Sequence, residues 1–74
     1  MESLPKEQVL NHLKTHKGKR FTKNSLTKDL VFSIGDKYSV TFRLVDKWLE
    51  VLLASKIIKS EYAGKIKLFW HEGD

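Results

Sequence analysis

The chain has 74 residues, of which 41% are hydrophobic, and this length fits one compact domain, residues 1–74, with a modest core. It has no cysteine, which excludes disulfides and thiolate metal sites and leaves packing to supply the stability. The net charge is +5, from 14 basic and 9 acidic side chains. Such a basic chain favours a polyanionic partner, although a solvated surface explains the charge alone equally well.

The chain shows no membrane or export signal. Its N-terminal residues lack the positive start and apolar run of a secretory signal, and the longest apolar run, residues 51–54, is too short to cross a bilayer. We therefore expect a cytoplasmic protein with no membrane partner.

A first short helix is predicted between Pro5 and Gly18. Proline suits the start of a helix, and Val9, Leu10 and Leu13 mark one apolar face. Residues 19–21 are too few for another helix and read as an extended link or a very short strand.

A second helix is predicted over residues 23–33. Thr22 offers an N-cap, and Leu26, Leu30 and Ile34 recur at helical spacing. Gly35 stands where a left-handed residue would end the helix.

A third helix is predicted over about residues 39–55, with Ser39 as its N-cap. Its apolar stripe, centred on Val45, Trp48, Leu49 and Leu52, covers about half of the circumference, as in the central helix of a three-helix cluster. The opposite side is a mixed polar strip of Val40, Arg43, Asp46, Lys47 and Glu50.

From residue 57 onward the hydrophobic period changes to two, which predicts a β-hairpin. Pairing residues 57–61 with 65–69 around the three-residue loop 62–64 separates an apolar side from a lysine-rich side, with Gly64 in the left-handed position of a bulged turn. The lysine-rich side would carry Ile57, Lys59, Glu61, Lys65, Lys67 and Phe69, and Tyr62 would lie at the tip. These elements together predict an α+β fold.

The order of helix, short strand, helix, helix and hairpin resembles the winged-helix superfamily of DNA-binding proteins from about Pro5 to His71. The most telling stretch is VDKWLEVLLASKIIKS at residues 45–60, followed by a turn glycine and KIKLFW at residues 65–70. It is similar to a recognition helix, the hydrophobic pair that begins the wing and the returning wing strand, as in compact basic archaeal and archaeal-virus regulators. Two departures are Lys56, where many winged helices have glycine, and a long connection over residues 33–38.

The resemblance implies a transcription regulator that binds double-stranded DNA as a homodimer on a two-fold site. Helix three would enter the major groove, and the wing, residues 57–70, would lie on the DNA backbone. The implied contacts are Thr22, Lys23 and Asn24 at the start of helix two, Ser39, Arg43 and Lys47 on helix three, and Lys59, Tyr62, Lys65 and Lys67 on the wing.

Two other binding functions remain open. The fold also serves in protein–protein interaction, where exposed apolar groups such as Ile57 and Phe69 would form the contact. Binding of RNA or single-stranded DNA ranks lower, because few accessible aromatic side chains are expected.

Catalysis and cofactors are not predicted. The sequence has no phosphate-binding glycine loop, no nucleophile elbow and no carboxylate pair placed for acid–base chemistry, so we expect a protein that is not an enzyme. His12 and His16 share a helix face, but the residues between them lack the glutamate of a zinc-protease motif, and we expect no metal site.

Overall fold

A computed structural model of the protein describes residues 1–73. Its elements in chain order are β1 (Glu2–Ser3), α1 (Lys6–Thr15), α2 (Lys23–Ile34), β2 (Tyr38–Ser39), α3 (Phe42–Ala54), β3 (Lys59–Ala63) and β4 (Ile66–Trp70). Strands β1 and β2 form a parallel pair, and β3 and β4 form an antiparallel hairpin. Three helices and a C-terminal hairpin give the small α+β fold that the sequence predicts.

The core lies where the three helices meet the hairpin. Each helix buries residues three or four positions apart, as an amphipathic helix does. α3 packs against both α1 and α2, so it is the central helix that its wide apolar stripe predicts. The buried cluster consists of Leu4, Val9, Leu13, Phe21, Leu26, Leu30, Val45, Leu49, Leu52, Ile58 and Phe69.

The half-buried side chain of Trp48 ties α3 to the N-terminal segment. Its indole Nε1 donates a hydrogen bond of 2.7 Å to the carbonyl oxygen of Leu4. Because Leu4 itself lies in the core, this bond fixes the segment that carries β1 against the side of α3.

Thr22 caps the N-terminus of α2 as predicted, but the C-terminus of α2 does not end at a left-handed glycine. Thr22 is the N-cap, and its hydroxyl accepts a hydrogen bond of 3.1 Å from the backbone N–H of Ser25. Gly35, by contrast, has a right-handed φ of −66° instead of the left-handed value expected. The helical turn continues through it, and a Cβ at this position would lie 2.3 Å from the carbonyl oxygen of Val31. Glycine is therefore favoured here because any side chain would collide with the carbonyl group of Val31.

α3 begins later than predicted, because Ser39 is not its N-cap. Ser39 pairs with Ser3 in the β1–β2 ladder, and its carbonyl oxygen accepts a bond of 3.2 Å from the N–H of Leu4. Thr41 caps the helix instead, accepting a bond of 3.2 Å from the N–H of Leu44.

α3 ends through Lys56, which has a left-handed φ of +60°. The N–H of Lys56 donates to the carbonyl oxygen of Leu53 at 2.9 Å, and that of Ile57 donates to Leu52 at 3.0 Å. These two bonds form a Schellman motif, which usually has glycine at the left-handed position. A lysine thus occupies a left-handed position that usually has glycine.

The predicted register of the hairpin is wrong. Ala63 pairs with Ile66 and Lys59 with Trp70, so the loop has two residues, Gly64 and Lys65, and Gly64 has a φ of +66°. A positive φ at the first loop position is typical of a type II′ turn. The prediction of a three-residue loop fails, and with it the prediction that one side carries all the wing lysines.

Burial of Phe69 determines which face of the hairpin lies against the core. Phe69 is fully buried, and its backbone exchanges two hydrogen bonds of 2.8 Å with Phe21. Because side chains alternate along a strand, burial of Phe69 puts Lys67 on the same face as Phe69, whereas Lys59 lies opposite Trp70 on the other face. The expectation of an exposed Phe69 that contacts a partner is therefore wrong.

Within residues 1–73, no helix combines the length and the apolar character that a bilayer crossing requires.

Candidate nucleic-acid interface

The outward side of α3 is a narrow polar strip, called here the α3 strip, formed by Arg43, Lys47, Glu50 and Ala54. All four residues are exposed and follow each other at spacings of four, three and four residues. Since Val45, Leu49 and Leu52 are fully buried, the strip lies on the face turned away from the core. This placement confirms the side of the helix predicted for Arg43 and Lys47.

The two bases of the α3 strip have no acidic partner within 4.0 Å among the described residues. Arg43 is exposed, and the ammonium of Lys47 lies 4.8 Å from the ring centre of Trp48. Both groups can therefore reach a partner without first breaking an internal ion pair.

The start of α2 and the wing flank α3 at a common junction. Lys23 forms an ion pair with Asp46 of α3, and the ammonium of Lys67 on β4 lies 4.0 Å from the carboxylate of Glu50. Both ammonium groups also lie near the ring of Phe69, at 6.0 Å and 5.4 Å from its centre. The two acids on and beside the α3 strip are thus compensated by lysines of neighbouring elements.

The three residues at the start of α2 that were predicted to contact DNA differ in whether their side chains are free to bind it. The hydroxyl of Thr22 is engaged in the helix cap with Ser25, and Lys23 is engaged with Asp46. Asn24 is exposed at the first turn. Of the three predicted residues, only Asn24 has its side chain unengaged within the described structure.

The wing does not bring its predicted residues to one side. Lys59 pairs with Glu72 at 3.1 Å, and Lys67 turns towards α3. Lys65 is exposed in the turn and has no acidic partner within the described range, and Tyr62 is 68% exposed. The wing surface that remains for a ligand is therefore its tip, Tyr62 and Lys65.

Two residues near this surface were not predicted to matter. Thr41 caps α3 and so sets where the α3 strip begins. Arg20 lies over the ring of Trp70 at 4.0 Å and pairs with Glu61 at 3.1 Å, which braces the outer face of the wing. Threonine is a preferred N-cap residue, so the role of Thr41 could be predicted from the sequence. The contacts of Arg20 could not, because they depend on how β3 pairs with β4.

Internal ion pairs determine which basic side chains remain free on the surface. Five acids pair with a lysine or arginine, and these pairs engage five of the 14 bases. Nine bases remain unpaired within the described residues, against three acids: Glu2, Glu7 and Asp36. Because each pair removes one charge of each sign, pairing leaves the net positive charge unchanged, and the nine unpaired bases carry it.

His12 and His16 line a separate cavity of about 210 Å³ between α1 and α2. His12 Nε2 lies 3.5 Å from the carboxylate of Asp29. Burial, and then the neighbouring His16, lower the pKa of His12 below its usual value despite this carboxylate. Residues 1–73 contain no group of three or more histidine, aspartate or glutamate side chains placed to hold a metal ion.

Comparison with known proteins gives no match: no family model, no curated protein and no solved structure is significantly similar to the chain. Function therefore has to be inferred from the chain's own residues and their geometry.

Proposed function

We propose that the protein is a winged-helix, non-catalytic DNA-binding protein that places α3 in the major groove of double-stranded DNA. One observation carries the proposal: Arg43 and Lys47 lie one turn apart on the outward face of α3, and neither has an acidic partner in the described structure. The neighbouring acids, Asp46 and Glu50, are compensated by Lys23 and Lys67. These two carboxylates therefore repel a phosphate backbone less than the sequence alone indicates.

The dimensions of α3 suit this role. Its 13 residues span about 20 Å, and a helix fits the major groove, which is about 12 Å wide. The planar guanidinium of Arg43 matches the two acceptors on the major-groove edge of guanine, whereas Lys47 suits phosphate or a single base acceptor.

The wing tip and the start of α2 would contact the flanking backbone. Lys65 is an exposed charge at the turn, and Tyr62 beside it offers a hydroxyl and an aromatic face. Asn24 lies in the first turn of α2, where free backbone N–H groups favour a phosphate. Lys23 would join these contacts only by exchanging Asp46 for a phosphate.

Fluorescence anisotropy with a labelled mixed-sequence duplex at several salt concentrations tests the proposal. We expect binding that weakens steeply with salt, because bound phosphates release counterions. Arg43→Ala and Lys65→Ala should each weaken binding, whereas Lys14→Ala, which removes one exposed charge from α1, should have little effect. The absence of salt-dependent binding at micromolar protein would refute the proposal.

The second candidate is a protein-interaction module. Two exposed apolar side chains favour it: Phe42 at the start of α3 is 47% exposed, and Ile66 at the wing is 56% exposed. A module of this kind would show no salt-dependent DNA binding, and Phe42→Ser would weaken capture of its protein partner.

A further inference from the structure

The outer face of α2 carries an unusually exposed aromatic side chain. Phe32 is 95% exposed, and the adjacent Val31 is half exposed. The inner face of the same helix buries Leu26 and Leu30 completely, so Phe32 points away from the core. A phenylalanine exposed to this extent loses the apolar burial that the fully buried Phe21 gains.

Charges flank Phe32 symmetrically on this face. Lys28 precedes it by four residues and Asp36 follows it by four, and both are exposed. Asp36 lies just beyond α2 in a turn that continues the helical direction: Gly35 has right-handed φ and ψ and its N–H donates to Val31, and the N–H of Lys37 donates to Ile34 at 3.0 Å. Residues four apart in a helix lie on the same side. The face therefore presents the positive charge of Lys28, the apolar ring of Phe32 and the negative charge of Asp36 in a row.

We infer that this face binds the same face of a second copy of the chain. In an antiparallel pair of α2 helices related by a two-fold axis at Phe32, each Lys28 comes opposite the partner's Asp36. The spacing agrees, because Lys28 lies about 6 Å along the helix axis before Phe32, and Asp36 lies about one turn after Phe32. A two-fold interface requires such self-complementarity, and a parallel pair would bring like charges together.

Neither charge is engaged elsewhere. Lys28 and Asp36 form no ion pair with any other described residue, so dimer formation breaks no internal contact. The contact centres on one aromatic ring per copy, far less than a standard stable interface provides, so the dimer should be weak and concentration-dependent. The inference does not depend on DNA binding, and its test uses the protein alone.

Sedimentation velocity tests the inference, over a range from about 10 µM to about 1 mM protein. The parent should shift from monomer towards dimer within this range. Phe32→Ser should weaken association by about tenfold or more, because it removes the buried ring from both copies. Ile66→Ser is the matched control: it removes an exposed apolar side chain from the wing and should leave association unchanged.

Charge reversal tests the antiparallel geometry. Lys28→Glu and Asp36→Lys should each weaken association, and the double variant Lys28→Glu/Asp36→Lys should restore it. Because all three side chains are exposed, circular dichroism should show an unchanged fold in every variant. A parent that stays monomeric at the highest concentration, an inert Phe32→Ser, a double variant without restoration, or sensitivity to Ile66→Ser would each overturn the inference.

Discussion

Replacing Lys56 by glycine should stabilise the protein. Lys56 has a φ of +60°, where a residue with a Cβ is strained by about 1–2 kcal/mol. Glycine removes this strain but gives the unfolded chain more conformational freedom, which costs about 0.5–1 kcal/mol. The side chain of Lys56 is exposed and forms no ion pair with residues 1–73, so little else is lost. The net gain should be about 0.5–1 kcal/mol, or about 2–8 °C in Tm for a domain of this size.

Urea unfolding followed by circular dichroism, with a thermal scan, measures this gain. Lys56→Ala separates strain from charge, because it removes the ammonium but keeps the Cβ, and it should not stabilise. Ser55→Gly is the matched control, since Ser55 has a right-handed φ of −84° and glycine relieves nothing there. Equal stability of Lys56→Gly and the parent, or equal stabilisation by Lys56→Ala, would refute the left-handed end of α3.

Three further predictions concern stability. Gly64→Ala should lower the free energy of unfolding in urea by about 1 kcal/mol, because Gly64 has a φ of +66°. The added methyl meets no other atom, so backbone strain is its only cost. An unchanged urea midpoint would contradict the two-residue turn. Folding lowers the pKa of His12 from its usual 6.5, so the unfolded chain binds more protons and stability should fall as the pH drops below about 6.5. Urea midpoints at pH 7.5 and 5.5 should show this loss, and His12→Gln should reduce it; an equal loss in the variant would assign it to other groups. Trp48→Phe removes the 2.7 Å bond to Leu4 and should cost about 1–3 kcal/mol in the same assay, because the carbonyl of the buried Leu4 loses its donor; a cost near zero would mean that water replaces the indole.

Helical periodicity predicted the helices and their buried faces well, because each buried position belongs to one element and repeats within it. Leu26, Leu30, Leu49 and Leu52 lie in the core as their spacing indicates. The exposed side of Arg43 follows from the same periodicity. Local chemistry also predicted Thr22 as an N-cap, because the bond that it makes spans only three residues.

Features that depend on contacts between distant parts of the chain were predicted poorly. Alternating residues in the hairpin fit two registers, and the predicted one puts Ile58 and Phe69 on opposite faces, whereas both lie in the core. The lysine-rich wing side depended on the register and failed with it. Ser39 was assigned to a helix cap because its pairing with Ser3 could not be seen from neighbouring residues.

The α3 strip and the wing tip are the surfaces that we expect to contact DNA, and NMR can locate the contact residue by residue. ¹H–¹⁵N correlation spectra recorded during titration with a short duplex should show the largest amide shifts over residues 41–54 and 62–66. The same titration with Arg43→Ala/Lys47→Ala should show strongly reduced shifts over both segments. Shifts centred on α1, or an unchanged response in the double variant, would contradict the account.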